Sequence, residues 1–490
     1  MGAKESGLLD NRLWAGKAFD GAWGTSLDGA RDVLEPATGQ VLGRVGIASA
    51  EDMRAAIGRA QQAQPAWAAL GPRERAAVLH KAASLFEQHI DELALAIARE
   101  TGGIVPKGQH EVREATTLCQ LAASLPLQAQ GQVLPSTPGC LSIARRVPHG
   151  VVGVISPFNF PLILGLRSVA PALALGNAVV LKPDARTPVS GGFIMARVFE
   201  AAGLPPGLLQ VLPGDAAAGE ALVVDDRVPM IAFTGSPAIG RRIGALAGEH
   251  LKKVSLELGG ANNIIILEDA DPDAAASAAA FGAWFHQGQI CMAANRILVH
   301  ASLAEAIERR LVEKAQHLPV GDGASGQVAL GPLIDAKQLQ HFDSVIQDSV
   351  RQGARLEAGG THEGLFYKPT VLSGVRPGIR SFDEEPFGPV ANLVTFRTDD
   401  EAVQLANTGQ GGLSAAVISP NVGRAMAIGQ RLRAGMIHIN DQTVNDECTN
   451  PFGGPGVAGN GGSVGGPADM DEYTQWQWIT VKDAPPQFPF

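Results

Sequence analysis

From Val151 to Leu258, short apolar runs alternate with longer amphipathic ones, and this alternation restricts the fold more than any other feature of the chain. GVVGVIS, AVVLKP, LLQVLPG, PMIAFTGS and KKVSLELGG have strand length, and stretches such as TPVSGGFIMARVFEAAG and PAIGRRIGALAGEH between them have helical length. Parallel strands joined by helical crossovers satisfy such a pattern, because each helix covers a sheet face that would otherwise meet water. The segment therefore predicts a parallel sheet wrapped on both faces, the layout of nucleotide-binding α/β folds, whose ligands lie at the carboxyl ends of the strands.

The flanks follow other rhythms. SAEDMRAAIGRAQQAQPAW opens on a Ser49/Asp52 capping box, and PRERAAVLHKAASLFEQHIDELALAIARE keeps apolar residues near helical spacing, so helices are expected over residues 49–100. CLSIARRV, just before GVVGVIS, reads as a further strand. After Gly260 a second series starts with a helix, DAAASAAAFGAWFHQ, and continues through RILVH, YKPTVL, PVANLVTF, LSAAVIS and GMIHIND. This is a second α/β unit, with a boundary near Leu258. GGPGVAGNGGSVGG, residues 453–466, is too rich in glycine for a strand or helix, and WQWITV in the tail is a short strand. A chain of 490 residues has the length for two or three domains and a core that needs no covalent staples.

Charge and cysteine usage exclude classes of partner. A formal charge of −10 without any basic run speaks against nucleic acid and against an anionic membrane surface, and leaves small ligands. No apolar run reaches the ~20 residues needed to cross a bilayer, and MGAKESGLLD lacks the apolar centre of a signal peptide. Met1-Gly2 with Ser6 spells a myristoylation signal, but one acyl chain without a second membrane signal anchors weakly, so no membrane association is expected. Cys119, Cys140, Cys291 and Cys448 lie far apart, with no CxxC pair and no zinc-type spacing, which reads as reduced thiols in the cytoplasm and no metal.

Two segments spell GxGxxG, Gly321 to Gly326 and Gly454 to Gly459. The pattern binds a pyrophosphate only when it follows a strand and opens a helix, so both are read as surface loops. FTGSPAIGRRIG has the right context without the spelling: Ser236 can cap a helix, Pro237 suits its first position, and Gly240 leaves room one turn later. That is either an anion site at a helix N-terminus or simply a well-capped helix. Lys182, in VVLKPD, sits at the carboxyl end of another strand, a place equally fit for a ligand contact or a solvated charge.

The stretch FHQGQICMAANR holds Cys291. A catalytic thiol needs a group that takes a proton, donors for the oxyanion it creates and a partner for what leaves. Strand ends offer Asn159 in SPFNFP as an amide donor, Glu257 in LELGG as a base, and Glu385 in EEPFGPV. Each also has a plain structural reading, as a core thiol, a turn former, a strand-end charge and part of an acidic loop. His286, five residues before Cys291, is a weak partner for a Cys/His hydrolase, because such enzymes draw the histidine from distant sequence.

Taken together and in order, SPFNFP, LKPD, FTGSPAIG, LELGG, GQICMAANR, EEPFGPV and PFGG resemble the aldehyde dehydrogenase superfamily over essentially the whole chain. The resemblance implies a Rossmann-like cofactor domain (residues 1–130 and 151–257), an α/β catalytic domain (258–450), and a β-hairpin oligomerisation arm with the C-terminal tail (131–150 and 451–490). It implies Cys291 as nucleophile, Glu257 as general base and Asn159 as the side-chain half of an oxyanion hole. Lys182 and Glu385 would hold ribose, Gly235, Ser236 and Gly240 would form the pyrophosphate turn, and Phe387 and Phe158 would lie on the nicotinamide side. Glu257 also argues for hydrolysis to a free acid, since acylating relatives typically lack this base. Many NAD-preferring members carry a glutamate where this chain has Ala185, so NADP stays open beside NAD, and the adjacent Asp184 is expected to point elsewhere.

LRSVAPALALGN, MIHINDQTVNDE and the ending PQFPF look like the bacterial benzaldehyde dehydrogenases of aromatic catabolism. The implied reaction is benzaldehyde to benzoate in a homodimer or homotetramer. Substituted rings (vanillin, hydroxybenzaldehyde, salicylaldehyde) are the alternative substrates, and a cofactor-binding protein without turnover is the alternative class. Phe160, Leu164, Phe285 and Phe452 would line the substrate tunnel, with Trp284 beside it in sequence. Arg167 either supports a neighbouring loop or meets a polar ring substituent.

Overall fold

The computed structural model describes residues 7–409 and 411–490. The myristoylation pattern at Met1, Gly2 and Ser6 lies outside them. Two seven-stranded sheets organise the chain. In the first, the strands Lys253–Leu258, Met230–Gly235, Val151–Ile155, Ala178–Lys182 and Leu209–Val211 run parallel in that spatial order. Two antiparallel strands, Lys17–Phe19 and Trp23–Thr25, extend it. The strand order reverses between Val151–Ile155 and Met230–Gly235, which opens a crevice at their carboxyl ends.

The expected alternation is present throughout this segment. Helices Pro161–Ala174, Ile194–Ala202, Ala216–Val224 and Pro237–Glu249 separate the strands. Pro161–Ala174 is buried along its whole length, and apart from Arg167 and Ser168 its residues are apolar on every side rather than on one stripe. The Ser49 capping box forms, with Asp52 N–H bonded to Ser49 Oγ at 3.1 Å and Ser49 N–H to Asp52 Oδ2 at 2.8 Å.

The second sheet orders Arg355–Ala358, Thr370–Ser373, Val390–Phe396, Arg296–His300, Asn263–Ile266, Gly412–Ile418 and Ala434–Ile439. Its first member, Asn263–Ile266, precedes the helix with which the second series was expected to begin. Three isoleucines after a pair of asparagines give too short a run for periodicity to separate from a loop. The expected helix DAAASAAAFGAWFHQ ends earlier, at Trp284, because His286, Gln287 and Gly288 all take positive φ (48°, 55° and 65°). Trp284 is buried in the apolar core of this second unit, not in the tunnel.

A third sheet pairs Thr474–Lys482 with Cys140–Pro148 and Gly131–Val133. One of the two GxGxxG spellings is not a surface loop. Ala458 is buried, its carbonyl accepts from Leu258 N–H at 2.9 Å, and Gly459 bridges to Glu257. A Cβ at Gly459 would come within 2.6 Å of Leu256 O, so the glycines let this segment lie against the outermost strand of the first sheet. Among the described residues no helix is long and apolar enough to cross a membrane, and the four cysteines are free.

Candidate functional site

The crevice at the carboxyl ends of the first sheet is a cleft of ≈ 600 Å³ that reaches the second unit. It collects Phe158, Asn159, Lys182, Gly235, Ser236, Glu257, Cys291, Glu385 and Phe387, which stand far apart in sequence. On the other side of Cys291 a smaller tunnel of ≈ 60 Å³ is lined by Asn159, Phe160, Leu164, Phe285 and Phe452. Cys291, Asn159 and Leu164 belong to both cavities. The thiol thus stands where a large cleft meets a narrow aromatic tunnel.

Asn262 holds the cysteine loop. Its Nδ2 donates to Cys291 O at 2.7 Å and Ala293 O at 3.0 Å, while its Oδ1 accepts from Leu413 and Ser414 N–H at 3.1 and 2.9 Å. Burial, followed by the charges of Glu385, Asp446 and Glu257, raises the Cys291 thiol, so the resting side chain is protonated. Glu257 is 5 % exposed, and neither carboxylate oxygen has a hydrogen-bond partner among the described residues. Desolvation pushes its pKa well above the ordinary carboxyl range, which suits a group that takes and returns protons.

Asn159 is 3 % exposed, and its Nδ2 donates to Gln289 O at 2.9 Å, so its amide is oriented toward the cysteine loop. Beneath it lies a buried ion pair that sequence reading did not single out. Lys107 pairs with Glu111 and donates to Asn159 O at 2.6 Å, and its ammonium lies 4.3 Å from the Phe160 ring centroid. Glu111 Oε2 accepts from Leu162 and Ile163 N–H at 3.1 and 3.4 Å, satisfying the open N-terminus of the helix that follows Asn159. His286 packs edge-on to Phe160 at 5.3 Å, lines neither cavity, and is kept neutral by burial and by the Lys107 charge.

In the larger cleft, Lys182 is lowered by burial, with Asp184 and Asp215 opposing the shift. Glu385 is raised to about 8 by burial, and its Oε1 has no partner among the described residues. It fits only because residue 259 is glycine: a Cβ there would meet Glu385 Oε2 at 2.2 Å. Phe158 and Phe387 meet edge-on at 5.8 Å, and Phe387 takes a positive φ of 51°.

Three expectations change. Ser236 occupies the N-cap position of Pro237–Glu249, but its side chain makes no capping bond, which leaves the first-turn amides of that helix open toward the cleft. Gly240 does not line the cleft; a Cβ there would sit 2.5 Å from Leu258 Cδ2, so the glycine serves helix-to-strand packing. Asp184 does line the cleft, with its carboxylate bound to Arg186 at 2.8 Å; Arg186 also reaches Asp335 at 3.0 Å and covers the Phe158 ring.

Arg167 is 2 % exposed and bonds Asp446 Oδ2 at 2.7 Å, so it supports the loop that forms one tunnel wall. Burial opposes its charge, yet Asp446 carries its pKa upward. Its guanidinium lies 4.6 Å from the Phe452 ring centroid.

A doubly wound sheet whose switch point faces a half-buried thiol and an unpartnered carboxylate defines a cleft of the enzyme type. Residues 23–479 match the profile of the Aldehyde dehydrogenase family, and the chain belongs to that family. It is 52 % identical to the vanillin dehydrogenase of an Amycolatopsis species, over 99 % of this chain and 100 % of that protein. It is 46 % identical to the benzaldehyde dehydrogenase [NAD(+)] of Pseudomonas putida, over 98 % of each. In structure it resembles the NAD-dependent aldehyde dehydrogenase of Sinorhizobium meliloti, with a TM-score of 0.93 and 34 % identity over 100 % of this chain and 99 % of that one.

Proposed function

We propose that this chain oxidises an aromatic aldehyde to its carboxylic acid with a nicotinamide dinucleotide. The observation that carries the reading is the meeting at Cys291 of a dinucleotide-sized cleft and an aromatic tunnel. Unsubstituted benzaldehyde suits the apolar walls of Phe160, Leu164, Phe285 and Phe452. A hydroxylated or methoxylated ring is the second reading, favoured by the likeness to a vanillin dehydrogenase. A cofactor-binding protein without turnover is disfavoured by the unpartnered Glu257 beside a free thiol.

The cleft suits a dinucleotide: its helix N-terminus is open at Ser236, and the orphaned oxygen of Glu385 asks for a hydroxyl donor. Gly235 and Ser236 would hold the pyrophosphate, Lys182 and Glu385 the ribose hydroxyls, and Phe158 and Phe387 the nicotinamide side. The bound group supplies the hydride acceptor. NAD is the cofactor by likeness to relatives named for it. Ala185 supplies no carboxylate to repel a 2′-phosphate, which keeps NADP within reach.

Glu257 relieves the protonated Cys291 of its proton, and the thiolate attacks the aldehyde carbon. The Cys291 backbone N–H and the Asn159 amide stabilise the thiohemiacetal oxyanion. Glu257 passes the thiol proton on to solvent, and after oxidation to the thioester the carboxylate, ionised again, takes a proton from the water that releases the acid. We place the protein in the cytoplasm, as a homodimer or homotetramer, with the dinucleotide-binding, catalytic and arm segments divided near residues 131–150 and 258.

A panel of aromatic and aliphatic aldehydes, each with NAD and NADP and followed by absorbance of the reduced cofactor, tests the proposal. Aromatic aldehydes should give the highest kcat/KM, and Cys291→Ser should abolish the signal. No reduced cofactor with any aldehyde would overturn it.

A further inference from the structure

The tunnel beside Cys291 is not uniformly apolar. Among Phe160, Phe285, Val444 and Phe452 it carries a carboxylate, Asp446. That side chain is fixed, because the buried Arg167 donates to its Oδ2 at 2.7 Å from a helix packed into the first unit. Among the described residues no hydrogen bond engages the other oxygen, Oδ1. An ionised carboxylate only accepts, so what it selects in a neutral substrate is an O–H or N–H group.

We infer that Asp446 is the acceptor for a phenolic hydroxyl, and that the tunnel selects ring-hydroxylated benzaldehydes over rings of equal bulk that lack a donor. The inference rests on the aromatic-aldehyde reading above. An unsubstituted or O-methylated ring leaves the carboxylate against carbon, with its water removed and nothing in its place. A hydroxylated ring replaces that water with a charge-assisted hydrogen bond. Arg167 sets the position of the acceptor and takes no part in recognising the ring.

The test compares kcat/KM for 3-hydroxy- and 4-hydroxybenzaldehyde with that for the matching methoxybenzaldehydes, in the unaltered protein and in Asp446→Asn and Asp446→Ala. The two substituents act similarly on the carbonyl while the phenol is un-ionised, so the comparison is made below pH 7, and the change in the ratio on substitution separates the donor from the added methyl. In the unaltered protein the hydroxy-to-methoxy ratio should reach roughly tenfold or more at one ring position, the size expected for a hydrogen bond to a charged group. In Asp446→Ala it should fall toward one, and in Asp446→Asn, whose amide oxygen still accepts but carries no charge, it should fall part of the way, whatever happens to the overall rate. A ratio near one in the unaltered protein overturns the assignment without reference to any variant, and so does a ratio that survives both substitutions. A protein that oxidises none of these aldehydes overturns the aromatic reading with it.

Discussion

Burial raises the pKa of both Cys291 and Glu257, and that shared shift governs the pH response of the chemistry. Glu257 acts as a base only when ionised, and its pKa lies well above the ordinary carboxyl range. The rate should therefore fall as pH drops through that raised pKa, and kcat measured against pH should show the limb. Glu257→Gln should lower kcat by roughly 10²-fold or more and remove the limb, since positioned proton transfer contributes on that order. A limb that persists in the variant would belong to another group. Glu385, raised to about 8, has a consequence for stability. The native state binds a proton at this site that the unfolded chain has lost above its ordinary carboxyl pKa. The contribution is complete below that value and disappears as pH rises through about 8. Thermal unfolding midpoints should thus drop across this window, and Glu385→Gln should flatten the drop while weakening dinucleotide binding in a fluorescence titration.

At the level of elements, the helix Val105–Ser124 does what no motif announces. It carries Lys107 and Glu111 beneath the turn that presents Asn159, tying the Asn159 carbonyl and the following helix N-terminus to one buried ion pair. Lys107→Met leaves Glu111 buried without its counter-charge and should destabilise the fold by about 3–5 kcal/mol in a denaturant titration. It should also reduce kcat by loosening Asn159. Lys107→Met with Glu111→Gln should recover part of the stability, and a double variant no more stable than the single one would show that the charge pairing is not the cause. Glu257 and Asn159 stand out as candidates in sequence because each sits in a short motif at or just past the end of a strand, where the βα rhythm says ligands gather, while Cys291, in the loop before Arg296–His300, stands out only through its motif. Lys107 and Glu111 do not, because an i,i+4 pair on a helix looks the same whether it faces solvent or a core. Asn262 escapes notice for a similar reason: an asparagine pair close behind two glycines spells a turn, whereas here Asn262 ties the cysteine loop to Leu413 and Ser414. The strand Asn263–Ile266 is missed because its neighbours in the sheet come from distant sequence.

Over the whole molecule, the third sheet has an edge that a lone chain cannot easily leave bare. Thr474–Lys482 pairs with Cys140–Pro148 on one side only, and its outward residues include Trp476 and Trp478, 53 % and 70 % exposed. Leu141 and Val133 on the neighbouring strands are exposed as well. A nine-residue unpaired edge with apolar side chains is a template for another strand or sheet, and folded proteins normally cover or charge it. A second copy of the chain is the occupant consistent with the oligomer proposed above. The short helix and turn that lead into this strand are tied to the site: Lys253, at the start of the Glu257 strand, donates to Glu472 O at 2.5 Å and Asp471 O at 2.7 Å, and Asn177 Nδ2 donates to Tyr473 O at 3.0 Å. Covering the arm should therefore also steady the strand that carries Glu257. Replacing Trp476 and Trp478 together by Glu places two carboxylates on the edge and should convert the assembly to a smaller species in sedimentation velocity. The thermal midpoint should fall with it and become independent of protein concentration, since a dissociated chain no longer gains stability by mass action. An unaltered protein that sediments as a monomer would sink this account of the arm, and an assembly that survives both substitutions would move the interface elsewhere.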